Sequence, residues 1–112
     1  MKVGILTFHR AHNYGAVLQA YALQTHLKQM GHEAEIIDYR PAYIENAYSF
    51  WPTLTGKSLF RKIKSLIYFG LVAYKKLKRW RVFEEFINNR FCLSKKIYKA
   101  PFNENFDYDV YV

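Results

Sequence analysis

An α/β fold built around a parallel sheet is what this 112-residue sequence predicts, and three observations carry that prediction. The chain opens on a short, nearly continuous apolar run, Val3-Gly4-Ile5-Leu6-Thr7-Phe8, which suits a strand buried on both faces. A helical apolar stripe follows after a brief polar loop. A second run, centred on Ile36-Ile37, then ends at Arg40-Pro41. Strand, helix and strand at this spacing make a βαβ unit, whose two strands pair in parallel.

Taken in order, the first strand covers residues 2–8, and the loop from His9 to Asn13 leaves it. Asn13 offers the side-chain oxygen of a helix cap, and Gly15 permits close backbone approach. The helix is predicted from Ala16 to Met30, with Ala16, Ala20, Leu23, Leu27 and Met30 as its apolar stripe. Val17, Leu18, Tyr21 and Ala22 make the first two turns apolar nearly all round, which predicts cover on more than one side. Gly31 stands where a helix-ending residue in the left-handed region belongs. Residues 34–39 form the second strand. Residues 41–56 hold Tyr43, Tyr48, Phe50 and Trp51 without clear period and read as a partly ordered loop. From Lys57 a helical pattern resumes, with Leu59, Ile63, Leu66, Ile67 and Tyr74 on one side and Gly70 as a break or bend. Leu77, Trp80, Phe83 and Ile87 carry a second stripe, ending near Asn88-Asn89. Asp109-Val110-Tyr111-Val112 reads as the opening of a third strand. The organisation expected is therefore a single domain with a βαβ unit over 1–41, a loop over 42–56, a basic helical segment over 57–90, and a return to a third strand over 91–112.

Composition narrows the function. With 51% apolar and 19% aromatic residues the chain must bury a core. One cysteine excludes a disulfide framework and a multi-cysteine zinc site. Cys92, between Phe91 and Leu93, reads as a buried packing residue. The apolar run at the amino terminus is too short for a signal peptide, and no stretch approaches a membrane span. The formal charge of +8 is concentrated: nine of the 17 basic residues fall within residues 57–83, where there is no acidic residue. Its bland reading is a solvated helix face whose apolar side packs on the core. Among the sharper readings, Lys outnumbers Arg six to three with Leu, Ile, Phe and Tyr interleaved, which favours an anionic membrane surface over nucleic acid. That surface would be met through residues 57–81, opening on Lys57 and closing on Arg81.

Other motifs fail on inspection. Thr53-Leu54-Thr55-Gly56-Lys57-Ser58 ends like a phosphate-binding loop, but Trp51 stands where its first glycine belongs. No G-x-G-x-x-G follows the first strand, so no dinucleotide cofactor is expected. His9 and His12 lack a third ligand, and no metal is expected. His26 and His32 read as surface residues. The His9–Gly15 loop matters for its position, because ligands of parallel sheets bind beyond the carboxyl ends of strands, here around this loop and the residues after Asp38. The first turn of the following helix suits an anion.

The stretch from Val3 to Gln24 resembles the amino terminus of the polysaccharide pyruvyl transferase family. The strand Val3-Gly4-Ile5-Leu6-Thr7-Phe8, then Asn13-Tyr14-Gly15-Ala16 and Leu18-Gln19-Ala20-Tyr21-Ala22-Leu23, carry the likeness. So do Ile36-Ile37-Asp38-Tyr39-Arg40, Phe83-x-x-Phe86, Leu93-Ser94-Lys95-Lys96 and Tyr108-Asp109, in the family's order. The resemblance implies an enzyme with two Rossmann-like halves of the GT-B type. Its chemistry transfers the enolpyruvyl part of phosphoenolpyruvate to a sugar acceptor as a pyruvate ketal. It also implies that Asn13, Tyr14 and Gly15 bind substrate at the cleft. No cofactor and a cytoplasmic setting are expected, and the basic segment, as an insertion after the second strand, would rest on the inner membrane face. Ala16 departs from the acidic residue that several members carry after the glycine. The family continues past Tyr-Asp into Gly-Ser-Asp-x-x-Trp and a second half, so the expectation is an incomplete, inactive amino-terminal half whose catalytic residues lie elsewhere. The rival reading is a small basic non-enzymatic module that binds nucleic acid or an anionic membrane.

Overall fold

The computed structural model describes residues 1–52, 54–99 and 107–112. Thr53, the first residue of the loop-like string dismissed above, and residues 100–106 of the expected return segment lie outside them. The elements are β1 (Lys2–Ile5), α1 (Tyr14–Gln29), β2 (Glu33–Tyr39), α2 (Ala42–Ala47), α3 (Leu59–Arg90), β3 (Leu93–Tyr98) and β4 (Val110–Tyr111). All pair in parallel in the order β3-β2-β1-β4. The architecture is α/β with a parallel sheet, compatible with a Rossmann-like start. The chain steps outward from β1 to β3 and then returns to the other side of β1, so strand order reverses between β1 and β4. Open parallel sheets form their crevice at the carboxyl ends beside such a reversal.

The core lies between one sheet face and two helices. Side chains alternate along a strand, and Ile5, Ala34 and Ile36 share a buried cluster with Val17 and Ala20 of α1 and Phe83 and Ile87 of α3. Each fully buried Ile or Phe of this kind contributes about 1.5–3 kcal/mol relative to an exposed one. On the opposite face Tyr108 lies over Gly4, where an added Cβ would come within 2.8 Å of its ring. The Tyr108 hydroxyl donates to Glu35 Oε2 at 2.9 Å. Burial against this carboxylate pushes the Tyr108 phenol well above its ordinary value.

Several expectations need correction. The first strand ends at Ile5, because Leu6 and Phe8 turn out to solvent. The buried face of α1 is Val17, Ala20 and Gln24, while Leu18 and Met30 are exposed. Ala20, Leu23 and Leu27 of the predicted stripe do pack on the core; the stripe departs from it at the exposed Met30 and in passing over the buried Gln24. Gly31 does adopt the left-handed conformation, with φ +86°. The stretch read as a loop contains α2, started by Pro41 and anchored by buried Ile44. Gly70 interrupts nothing: α3 runs unbroken for 32 residues, since one interior glycine costs only about 1 kcal/mol.

Three further corrections concern the carboxyl-terminal half. Among the described residues two strands follow the helical segment, where one was expected. Ser94, Lys95 and Lys96 hid β3, an edge strand with its lysines exposed, as sheet edges commonly carry. Cys92 is exposed, not packed inside. Its neighbour Phe91 is buried, and alternation along extended backbone turns the next side chain outward. Finally, the apolar side of residues 59–74 does not pack on the core; Leu59, Ile63, Leu66, Ile67 and Tyr74 are all exposed.

Candidate functional site

At the carboxyl ends of β1 and β2 the chain gathers six charged or titratable side chains. The loop after β1 supplies His9, Arg10 and His12; the end of β2 supplies Asp38 and, just beyond it, Arg40; α3 supplies Glu84. Asp38 and Arg40 are two residues apart, so both project to the same face as Ile36, the face that α3 covers. Arg40 clasps Asp38 in bidentate fashion, Nε donating to Oδ1 at 2.9 Å and Nη2 to Oδ2 at 2.7 Å. His9, fully buried, donates from Nε2 to the same Oδ1 at 3.0 Å. Arg10 Nη1 donates to Glu84 Oε2 at 3.0 Å, and His12 Nε2 donates to Glu84 Oε1 at 2.9 Å. Arg10 Nε lies 3.6 Å from Asp38 Oδ1, buried and without a hydrogen bond.

An irregularity in β3 positions Asp38. The pairing of β2 with β3 shifts register between Ile36 and Asp38. There the Asp38 N–H donates to Ser94 Oγ at 2.9 Å, and that hydroxyl donates in turn to the Lys96 carbonyl at 2.9 Å. Ser94 thus takes the place of a missing ladder bond and satisfies a backbone group that would otherwise go unpaired.

The electrostatics are closed. Two guanidiniums face two carboxylates. Burial by itself would raise the Asp38 carboxyl, but the hydrogen bonds from His9 and Arg40 and the charges of Arg10 and Arg40 outweigh it. They hold Asp38 well below the ordinary carboxylate range. The hydrogen bond from His12 lowers Glu84 against its burial, with Arg10 adding to the effect. Arg40 is raised by its bond to Asp38. Such a network is strongly destabilised by removal of any one partner, which leaves a charge buried and alone.

A cleft of about 350 Å³ opens over this network. Arg10, His12, Arg40, Glu45, Ser49 and Glu84 form its polar part, and Trp51 and Trp80 stand among its aromatic walls. The shape is that of a small-molecule site: largely apolar walls around a few converging polar groups.

Asn13, Tyr14 and Gly15 do not line this cleft, whose lining from their loop comes from Arg10 and His12; Tyr14 lines a separate apolar groove with Val17, Leu18 and Phe83. Asn13 caps α1, its Oδ1 accepting from the N–H of Gly15 at 2.9 Å and of Ala16 at 3.4 Å. An added Cβ at Gly15 would stand 3.3 Å from that oxygen, so a side chain there would crowd the cap. The exposed Tyr14 ring lies 4.8 Å from Phe83, and the His12 ring stacks on Phe83 at 5.1 Å. Phe83 is thereby the contact shared by the helix start and the charged cluster.

Sequence reasoning placed ligand chemistry at the two strand exits but missed His9, His12 and Glu84 as members of the cluster. Asp38 at the end of an apolar run was the available signal, since a buried carboxylate requires partners. Among the described residues no group of three or more His, Cys, Asp or Glu is placed to hold a metal ion.

A comparison with protein families matches residues 13–112 to Polysaccharide pyruvyl transferase, a match that begins at the Asn13 cap and takes in both α3 and β4. Searches of curated proteins and of solved structures gave no match. With nearly the whole chain matched, from the cap of α1 to the last strand, this protein belongs to the polysaccharide pyruvyl transferase family.

Proposed function

We propose that this chain serves a transferase that moves a pyruvyl group from phosphoenolpyruvate onto a sugar of a cell-surface polysaccharide. It would form the amino-terminal, Rossmann-like part of a GT-B-like architecture in the cytoplasm. The family match over residues 13–112 carries the reading. It gives no support to the rival, a small non-enzymatic module.

In the reaction, one sugar hydroxyl adds to C2 of the enolpyruvyl group while C3 takes up a proton. A second hydroxyl then displaces phosphate from C2, closing the ketal and releasing its own proton. Such chemistry requires fixed cations for the carboxylate and phosphate and an acid for the enol carbon. Asn13, Tyr14 and Gly15 would contact the anionic donor at the positive end of α1. The N–H groups of Gly15 and Ala16 already bond to Asn13, so the anion would have to displace that side chain. Arg10 and Arg40 are already paired with Glu84 and Asp38, so neither is free to hold the donor's carboxylate or phosphate. The 112-residue chain alone would therefore bind donor weakly and transfer nothing, the missing groups coming from a second half.

The test is a titration of the isotope-labelled chain with phosphoenolpyruvate, followed by amide NMR, beside an assay for ketal product. Shifts centred on residues 13–16 and no product are expected. Shifts elsewhere, or none, would remove the assignment of Asn13, Tyr14 and Gly15; ketal formed by the purified chain would sink the claim that it needs a second half.

A further inference from the structure

The unpacked half of α3 has the form of a surface-lying lipid anchor. At 100° per residue, Leu59, Ile63, Leu66, Ile67, Leu71 and Tyr74 fall within an arc of about 140°. Each is 50–81% exposed. The other side of the helix is occupied: Phe69 packs on Phe50 at 5.2 Å and on Trp51 at 5.9 Å, and Trp80 lies 6.4 Å from Phe50. The protein has thus satisfied one side of α3 with its own aromatic residues and left a second apolar stripe facing away. Lysines border that stripe, Lys62 on one side and Lys64 and Lys75 on the other. Nine basic and no acidic residues lie in the surrounding window, residues 57–83.

We propose that this face of α3 docks on the surface of an anionic lipid bilayer, lying in the headgroup plane. The arrangement matches what that surface offers. An apolar arc inserts at the acyl boundary, and lysines on both flanks extend their stems along it and place their ammonium groups among anionic headgroups. Among the described residues no helix is long and apolar enough to cross a membrane, so the attachment is peripheral. Other occupants fit less well. A second copy would set lysines against lysines, with no acidic residue in the window to compensate. Nucleic acid would engage only the flanking cations through its phosphates and leave the apolar arc uncovered. The docking goes beyond the transfer reaction and does not depend on it.

Flotation of the whole chain with vesicles tests this. Phosphatidylcholine vesicles are compared with vesicles containing about one-third phosphatidylglycerol, at low and high salt, and a short DNA duplex is added as competitor. Binding is expected only to the anionic vesicles, weakening with salt. Neutralising Lys62, Lys64 and Lys75 to Gln should weaken it about a hundredfold, at about fivefold per lysine. Ile67→Glu with Leu71→Glu should abolish it, while circular dichroism confirms an unchanged fold, as both sites are exposed. Equal binding to neutral vesicles, no binding to either, or full binding by the double glutamate variant would each overturn the inference. So would displacement by DNA, or a dimer lost in that variant without any vesicle binding.

Discussion

The side-chain amide of Gln24 pairs with the backbone of Cys92 as a neighbouring strand would. Its Nε2 donates to the Cys92 carbonyl at 2.8 Å, and its Oε1 accepts from the Cys92 N–H at 3.0 Å. The same Nε2 also donates to the Ala34 carbonyl at 3.1 Å. One buried glutamine therefore ties α1 to β2 and to the residue that leads into β3. This is a fully satisfied polar contact within the apolar face of a helix, where an unsatisfied one would be costly.

Replacing Gln24 with Leu keeps the size and removes all three bonds. The Ala34 carbonyl and the Cys92 N–H would then be stranded in or beside the core, at about 1–3 kcal/mol each where water cannot reach them, while the Cys92 carbonyl keeps the Ile36 N–H at 2.8 Å. The expected result is a loss of about 2–4 kcal/mol in urea unfolding, with the amides of Cys92 and its β3 neighbours losing exchange protection first. A neutral effect would mean that β3 is held by its pairing with β2 alone.

How much of this was legible in the sequence follows from how local each interaction is. The first strand, α1 and β2 were readable because their apolar periods are strong and their stop signals, Gly31 and Arg40-Pro41, lie beside them. Asn13 was readable as a cap because its partners, Gly15 and Ala16, are two and three residues away. The charged cluster was not, because His9 meets Asp38 across 29 residues and His12 meets Glu84 across 72. No local pattern reports such a meeting. For β3 the polar Ser94 and lysines masked a strand whose irregular pairing gives Ser94 its purpose. Direction was the other hidden variable: the stripe of residues 59–74 was visible, but periodicity does not say whether a stripe faces the protein or the solvent.

Gly70 offers a stabilising change. It sits inside α3, exposed, and an added Cβ would meet nothing within 4 Å. Alanine there lowers the entropy of the unfolded chain and should raise stability by about 0.5–1 kcal/mol. A higher urea midpoint with an unchanged slope is the expected outcome. A lower midpoint would mean that α3 needs the flexibility of glycine at its middle.

Gly4 and Tyr108 form a coupled pair on the opposite sheet face. Because a Cβ at position 4 would fall 2.8 Å from the Tyr108 ring, Gly4→Ala forces the ring or the strand to move. Overpacking of this kind costs about 1–3 kcal/mol. Tyr108→Ala separately loses the hydroxyl bond to Glu35 and the cover over β1. In the double variant the clash is gone, so the combined loss should fall short of the sum by about 1 kcal/mol or more. Strict additivity, measured by a double-mutant cycle, would mean that the two residues do not touch.

Asp38 governs the response to acid. Its ordinary value is 3.8 and that of Glu84 is 4.5, and both are lowered in the folded chain. A carboxyl depressed by folding adds stability that is complete above its ordinary value and is lost as pH falls towards the folded one. Stability should therefore hold steady above about pH 5 and decline steadily below it, with Glu84 and then Asp38 taking up protons. Asp38→Asn keeps the shape but strips Arg10 and Arg40 of a shared counter-charge, at about 3–5 kcal/mol near neutral pH for a broken buried pair. The same variant should show a shallower decline between pH 5 and 2, because the strongest of the depressed carboxyls is gone. Chemical denaturation at a series of pH values reads both effects at once. An Asp38→Asn protein as stable as the parent at pH 7, or one with the parent's full acid sensitivity, would mean that the network of His9, Arg10, Asp38 and Arg40 does not hold the strand exits together.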